Sequence, residues 1–368
     1  MSIDAYQAAA MQPGVVQVRR RTQILQNVKR ACVIARDAAQ AAVHTPLLKT
    51  QHLPMKLIVF PEFFLQGWTG QAGLEDYVRD VLITIPGEET DRLSELCVEL
   101  DVFICGGVLE RDARWDDRFF NTSFVIDPSG DIILKYRKVN TALPYDLDTS
   151  PHDMLAMIYG EEWDKNILAK LFPVVQTEIG NLGAFVCMDG HFPEVTRALA
   201  LNGAEILLRP TAMPEPLVSR GVWKAENQVR ALENTAYVIA PTIGRIESDE
   251  LPQTSWPGGA MITDYRGVVL SDANYPGEGY CHGIIHLEEL RRQRMGDERN
   301  FLPLLRNELW EQLYSRPVYT ANRYADGSPP GSHAELAERL PYDIIRGLIS
   351  DGVFMRPKDY IDSSTHSG

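Results

Sequence analysis

The chain has 368 residues, of which 45% are hydrophobic and 23% are charged, and its formal net charge is −14. This composition is that of a globular protein with a sizeable core, and the acidity excludes a nucleic-acid partner because phosphate contacts need a basic face. No stretch approaches the roughly 20 apolar residues of a membrane span, so we also predict no membrane partner.

Cysteine usage and the amino-terminal sequence predict a cytoplasmic protein. Residues 1–10 lack the basic and apolar regions of a secretory signal peptide. The five cysteines are odd in number and have no C-x-x-C spacing, which argues against a disulfide framework or a thiolate metal site. We therefore expect a reducing compartment and no bound metal.

The first half of the chain alternates strand and helix patterns. Continuous apolar runs are typical of strands covered on both faces, and apolar residues at 3.6 spacing indicate helices. These patterns predict strands at 5–11, 56–60 and 102–108, helices at 22–43 and 86–100, and a hairpin of 121–127 with 131–136 around Gly130.

The second half repeats this mixture. It predicts strands at 182–187, 206–209, 237–241 and 283–287, helices at 193–202 and 220–234, and a hairpin of 260–264 with 268–271 around Gly267. Helix-linked strands mixed with hairpins predict a layered α/β fold with mixed sheets and helices outside.

The pattern changes near residue 300. Residues 319–332 are rich in glycine, proline and polar side chains, and residues 363–368 are predicted to be disordered. We therefore predict one domain over residues 1–300 and a carboxy-terminal extension over 301–368. The extension is too short for an independent domain, so we expect it to pack on a neighbouring subunit of a homo-oligomer, a dimer or larger.

Three polar residues lie where apolar runs end. Glu62 stands between Pro61 and two phenylalanines, where a poorly solvated carboxylate suits a general base, although a glutamate that begins a helix would look the same. Lys138 is the last of three cations within four residues. Such a cluster is either a solvated face, or one of its members turns inward to stabilise an oxyanion. Cys187 is either inert core or a nucleophile.

Together these segments resemble the nitrilase superfamily of carbon–nitrogen hydrolases, and most closely its amidase and carbamoyl-amidase branches. Residues 59–62 resemble the glutamate motif of that family, 136–138 its lysine motif, and 187–189 with 192–194 its nucleophile elbow. The resemblance covers about residues 4–290. It implies a four-layer αββα sandwich of two mixed sheets.

The resemblance also implies a mechanism. Glu62 would be the general base, and Cys187 would attack the substrate carbon. Lys138 and the backbone N–H of Met188 would hold the oxyanion. Members of the family use no metal or organic cofactor.

One family position has no clear counterpart. A second glutamate usually follows the lysine, but residues 139–148 contain none. Asp146, Asp148, Glu161 and Glu162 are the candidates for the supporting acid. Spacing favours Asp146, whereas side-chain chemistry favours Glu161 or Glu162. The long segment 149–170 is expected to be irregular and to shape the entrance of the pocket.

The residues after Cys187 narrow the substrate class. Family members that hydrolyse nitriles tend to carry tryptophan and glutamate where this chain has Met188 and Asp189. Carbamoyl-amino-acid hydrolases carry arginines where this chain has Gly190 and His191. We therefore predict a small-molecule amide or carbamoyl compound as substrate. A nitrilase is the alternative enzyme, and a catalytically inactive binding protein with the same fold is the alternative of another class.

Candidate substrate contacts come from the same segments. They are predicted to be Phe63, Trp68, Asp189, His191 and Phe192. The aromatic members of this set are equally compatible with core positions.

Overall fold

The structure is a computed structural model that describes residues 3–44, 53–68, 74–143, 145–213, 221–249, 256–296, 299–325, 327–339 and 342–358. The predicted disordered end at 363–368 lies outside the described residues. The strands are β1 Ala5–Gln12, β2 Gly14–Val16, β3 Met55–Glu62, β4 Phe103–Glu110, β5 Phe120–Ile126, β6 Ile132–Arg137, β7 Val174–Thr177, β8 Gly180–Ala184, β9 Ile206–Leu208, β10 Tyr237–Ala240, β11 Arg245–Glu247, β12 Ala260–Thr263, β13 Val269–Ala273 and β14 Gly279–His286. The α-helices are α1 Arg21–His44, α2 Leu74–Asp76, α3 Glu88–Leu100, α4 Leu155–Tyr159, α5 Ile167–Leu171, α6 Pro193–Leu201, α7 Val222–Asn234, α8 Leu287–Met295, α9 Asn307–Tyr314, α10 His333–Arg339 and α11 Tyr342–Ser350.

Two six-stranded sheets share one plan. The strand order is β14-β1-β3-β4-β5-β6 in the first sheet and β13-β12-β10-β9-β8-β7 in the second. In each sheet three central strands are parallel, namely β1, β3 and β4 in the first and β10, β9 and β8 in the second. Antiparallel strands flank them on both sides. The predicted mixed sheets are thereby confirmed.

Alternate side chains of β1 divide the core between the layers. Ala8 and Ala10 pack among residues of the second sheet, whereas Ala9 and Met11 face the residues of α1 and α3. On the far side, apolar residues of α6 and α7 cover the second sheet. Because side chains of a strand alternate between faces, both faces of each sheet are buried, and the predicted αββα sandwich is confirmed.

Some element boundaries differ from those predicted. The strand expected at 182–187 ends at Ala184, and a single turn of 3₁₀-helix runs over Cys187–His191. The segment 149–170, expected to be irregular, contains a 3₁₀ turn over Pro151–Met154 and the short helix α4, and α5 begins within it. Among the described helices, none combines the length and apolarity of a membrane span.

The carboxy-terminal extension has two parts with different surroundings. Every side chain of α9 is exposed. Residues 319–336 instead return to the segment that follows Lys138. There the Ala156 N–H donates to Asn322 Oδ1 over 2.7 Å, and the Tyr324 N–H donates to the Asp153 carbonyl over 2.9 Å.

Candidate active site

Glu62 is the last residue of β3, a strand held between β1 and β4 in the middle of the first sheet. Its side chain is buried. Oε1 accepts hydrogen bonds from Lys138 Nζ at 2.8 Å and from Asn121 Nδ2 at 2.7 Å, and Oε2 accepts one from the Ala212 N–H at 3.0 Å. Three donors on a buried carboxylate hold it in one orientation.

Lys138 follows β6 directly, and its side chain is fully buried. Lys135 and Arg137 on the same strand pair with Glu110, so of the three cations only Lys138 turns into the site. Burial by itself would lower the pKa of Lys138, but the Glu62 carboxylate outweighs it and holds that pKa well above its usual range. The site therefore contains a permanent ammonium group.

Cys187 directly follows Val186 and lies three residues beyond Ala184, where β8 ends, and not at the end of the strand as predicted. Its backbone is left-handed, with a φ of 44°, and its N–H donates to the Pro210 carbonyl over 3.0 Å. Burial and the Glu62 carboxylate raise the pKa of the thiol, while Lys138 and Arg209 act in the opposite direction. Because the raised pKa keeps the thiol neutral, an attack by sulfur needs a base.

A buried arginine supports the cysteine turn from behind. Arg209 Nη2 donates to the Cys187 carbonyl over 3.1 Å and to Glu226 over 3.0 Å, and the guanidinium lies 4.6 Å from the centre of the Trp223 ring. A Cβ atom on Gly190 would lie 2.0 Å from Arg209 Nη2, so only glycine fits there. Arg209 thereby fixes the carbonyl of a residue with a strained backbone.

His191 is tied into the same cluster. Its Nδ1 bonds to Glu226 Oε1, while its side chain stays partly exposed. His191 was predicted to contact substrate, but its Nδ1 already has a protein partner.

Asp189 was predicted to contact substrate, but its carboxylate is fully buried and points into the protein. It accepts hydrogen bonds from Tyr136 Oη at 2.7 Å, from the Asn140 N–H at 2.8 Å, from Asn140 Nδ2 at 3.0 Å and from the Val186 N–H at 3.0 Å. Both oxygens are therefore occupied by protein donors. Asp189 joins the chain around Lys138 to the chain around Cys187.

The structure brings Asp146 to Lys138, and not Glu161 or Glu162. Asp146 Oδ2 lies 3.5 Å from Lys138 Nζ, and Oδ1 accepts a hydrogen bond from Trp68 Nε1 at 3.2 Å. Burial raises the pKa of Asp146, and Lys138 partly offsets that effect. Glu161 and Glu162 are exposed. The candidate favoured by spacing, Asp146, is thus the one that contacts the lysine.

The predicted aromatic contacts divide between the site and the surface. Phe63 is buried, and Trp68 is partly buried with its ring centre 6.1 Å from that of Trp256. Phe63 and Trp68 line a small cavity together with Asp146. Phe192, in contrast, precedes α6 and is 42% exposed. Phe63 and Trp68 therefore remain candidates for shaping the pocket.

Sequence reasoning missed Asn121 and Arg209 as functional positions. A signal for Arg209 was present, since a cation directly follows the buried strand β9, much as Glu62 ends β3. Among the described residues, no three His, Cys, Asp or Glu side chains come together as a metal ion would require.

Comparison with known proteins gives a consistent classification. The family model described as carbon-nitrogen hydrolase matches residues 7–295. A formamidase of Bacillus thuringiensis (strain Al Hakam) is 30% identical over 244 residues, which cover 65% of this chain and 62% of the formamidase. The match thus spans less than two thirds of that relative.

Solved structures share the fold. A carbon-nitrogen hydrolase from Helicobacter pylori G27 superposes with a TM-score of 0.65 at 20% identity, covering 85% of this chain and 99% of that one. Saccharomyces cerevisiae Nit3, a member of branch 10 of the nitrilase superfamily, superposes with a TM-score of 0.62 at 20% identity, covering 80% and 95% of the two chains.

Proposed function

Because the chain belongs to the carbon–nitrogen hydrolase family, we propose that it hydrolyses a small carboxamide through a thioester on Cys187. The observation that carries this proposal is the buried contact of 2.8 Å between Lys138 Nζ and Glu62 Oε1, formed beside a cysteine with a neutral thiol. The formamidase relatives make formamide the first substrate to test.

In the first half of the proposed reaction, Glu62 accepts the thiol proton as Cys187 Sγ attacks the carbonyl carbon. The carbonyl oxygen becomes an oxyanion, which Lys138 Nζ and the Met188 N–H stabilise. The oxyanion then collapses, the C–N bond breaks, and Glu62 returns its proton to the departing nitrogen. Ammonia leaves and a thioester remains on Cys187.

In the second half, water attacks the thioester. Glu62 accepts a proton from the water, and the same two donors hold the second oxyanion. The C–S bond breaks, the carboxylic acid leaves, and the thiol recovers its proton. Asp146 orients Lys138 through one carboxylate oxygen, while its other oxygen accepts a hydrogen bond from Trp68.

The test is ammonia release from formamide, from acetamide, from a carbamoyl compound and from acetonitrile. We expect turnover of at least one amide by the wild-type protein and none by Cys187→Ala. The matched control is Cys32→Ala, because Cys32 is a partly exposed free cysteine on α1 that is remote in sequence from the site residues.

Two outcomes would contradict the proposal. Full activity in Cys187→Ala would exclude the thioester mechanism. Turnover of acetonitrile with no turnover of any amide would identify a nitrilase instead.

We further propose a cytoplasmic location and self-association through the extension over residues 301–368. The five cysteines are all free thiols, as expected in a reducing compartment. Helix α9 exposes more than half of the surface of each of its four large apolar side chains, Leu309, Trp310, Leu313 and Tyr314. We propose a second copy of the chain as the partner of that helix. Tyr314 bonds Glu194 on α6, so α9 lies beside the hydrolase domain, and a second copy would cover both surfaces.

A further inference from the structure

The segment after Lys138 carries buried oxygen atoms that the proposed reaction does not use. Among the described residues, both carboxylate oxygens of Asp148, Oγ1 of Thr149 and Oδ1 of Asp153 have no hydrogen-bond partner. All three side chains are more than nine-tenths buried. Buried acceptors are almost always paired in folded proteins, so four together indicate a ligand that donates to them.

These three residues line one small cavity. Its volume is about 10 Å³ for the centre of a water-sized sphere, which admits a single particle of that size. Asp146 also lines the cavity, and its carboxylate contacts Lys138. The cavity therefore adjoins the proposed catalytic site. Tyr319 and Leu336 of the extension close the opposite wall.

The charge around the cavity favours a cation. Three carboxyl groups line it, and the cations that act on them are Lys138, on Asp146 and Asp148, and Arg323, on Asp153. Burial raises the pKa of Asp148 to about 8 and that of Asp153 to about 6, because it outweighs the effect of Lys138 on Asp148 and of Tyr319 and Arg323 on Asp153. A bound cation would compensate these carboxylates, whereas an anion would be repelled.

The oxygen atoms of the residues that line the cavity fit ammonium better than a metal ion. No three His, Cys, Asp or Glu side chains converge among the described residues, which disfavours a divalent ion held by several carboxylates. Ammonium has four N–H donors and is close to water in size, and the residues that line this cavity carry four unpartnered oxygen acceptors.

We propose that this cavity binds one ammonium ion, which forms when the ammonia released beside Asp146 takes up a proton from the solvent. The inference rests on the proposed function for the source of the ion, but the binding site itself does not depend on turnover. A site of this kind would hold the product next to Lys138 before release and make the enzyme sensitive to accumulated ammonium.

The experiment is a thermal melt of the full chain titrated with ammonium chloride. Tetramethylammonium chloride, whose cation is too large for the cavity, keeps the ionic strength constant. We expect a saturable increase in Tm with ammonium, on the order of 5 °C at one hundred times the dissociation constant. Tetramethylammonium alone should give no increase. An equal increase with potassium chloride would overturn the assignment to ammonium.

Variants locate the effect. Asp148→Asn should abolish the ammonium-dependent shift, and Thr149→Val should weaken the apparent affinity about tenfold, because one of four acceptors is lost. Asp164→Asn is the matched control, since Asp164 is exposed on the same segment. A shift of unchanged size in Asp148→Asn, or bridging by water with no response to ammonium in the wild type, would overturn the proposal.

The same titration on Cys187→Ala separates this inference from the proposed function. The shift should persist there, because the thiol is not part of the cavity. Retention of the shift in a protein that hydrolyses no amide would support the cavity assignment and refute the amidase, and amide turnover without any shift would do the reverse.

Discussion

At the scale of single residues, Glu62 is oriented by donors from three separate parts of the chain. Lys138 follows β6, Asn121 lies on β5 and Ala212 follows β9, so the carboxylate bridges both sheets. Such a carboxylate cannot turn away from the site. The position was predictable from sequence because it ends a continuous apolar run, but its partners were not, since 59 to 150 residues separate them from it.

Glu62→Gln tests the role of this residue as the base. An amide cannot accept the thiol proton, so we expect the rate of amide hydrolysis to fall by at least about 100-fold. The fold should be retained, with a modest decrease in Tm because one amide N–H₂ must face a backbone or side-chain donor. Ammonia release and circular dichroism measure the two effects, and exposed Glu161→Gln is the control. A variant that is unfolded at room temperature would show instead that Glu62 is chiefly structural.

At the scale of elements, the site depends on how the ends of β6 and β8 are joined. Asp189 links them through four hydrogen bonds, two to Asn140 and one each to Tyr136 and Val186. Lys138 lies between Tyr136 and Asn140, and Cys187 directly follows Val186. One buried carboxylate therefore sets the separation between the lysine and the nucleophile.

Asp189→Asn should disturb this separation without touching substrate. We expect kcat to fall more than tenfold with little change in KM, because the Asn side chain offers one acceptor atom where two are used. Tyr136→Phe removes one of the four donors and should give a smaller loss of the same kind. Steady-state kinetics on the best amide makes the comparison. A rise in KM at unchanged kcat would restore the sequence-based prediction that Asp189 binds substrate.

The elements themselves were largely predictable, because runs such as 56–60 and 102–108 are apolar throughout and flanked by turn residues. The path of the chain at Cys187 was not. Phe185 and Val186 are as apolar as the strand before them, so nothing local indicates that β8 stops at Ala184. The choice of Asp146 over Glu161 likewise depends on how the segment folds back on Lys138, which is a tertiary property.

At the scale of the whole molecule, the two halves repeat one sheet plan, and the extension provides both a cavity wall and an exposed helix. The repeated hairpins around Gly130 and Gly267 predicted the layered architecture. The division at residue 300 stays a prediction. Its two sides are in close contact, since residues 319–336 bond to the segment 152–156.

Leu313→Glu tests self-association through α9. Leu313 is 64% exposed within one chain, and a carboxylate in an apolar contact between subunits would be desolvated without a partner. We expect sedimentation velocity to show a dimer or larger species for the wild type and a smaller one for the variant. Gln312→Glu places the same charge on the neighbouring exposed position and should leave the assembly unchanged. A wild-type protein that sediments as a monomer would contradict the prediction.

The pairing of β14 with β1 has a consequence for how the protein is made. Because a ribosome delivers the chain from its amino terminus at about 5–20 residues per second, β1 emerges well before residues 279–286 that complete its hydrogen bonding. Residues 319–336, which seal the acidic cavity, emerge later still. A nascent chain can thus carry Glu62, Lys138 and Cys187 long before their surroundings exist, and messages cut short near their 3′ end would yield proteins with the reactive side chains but an unsealed site.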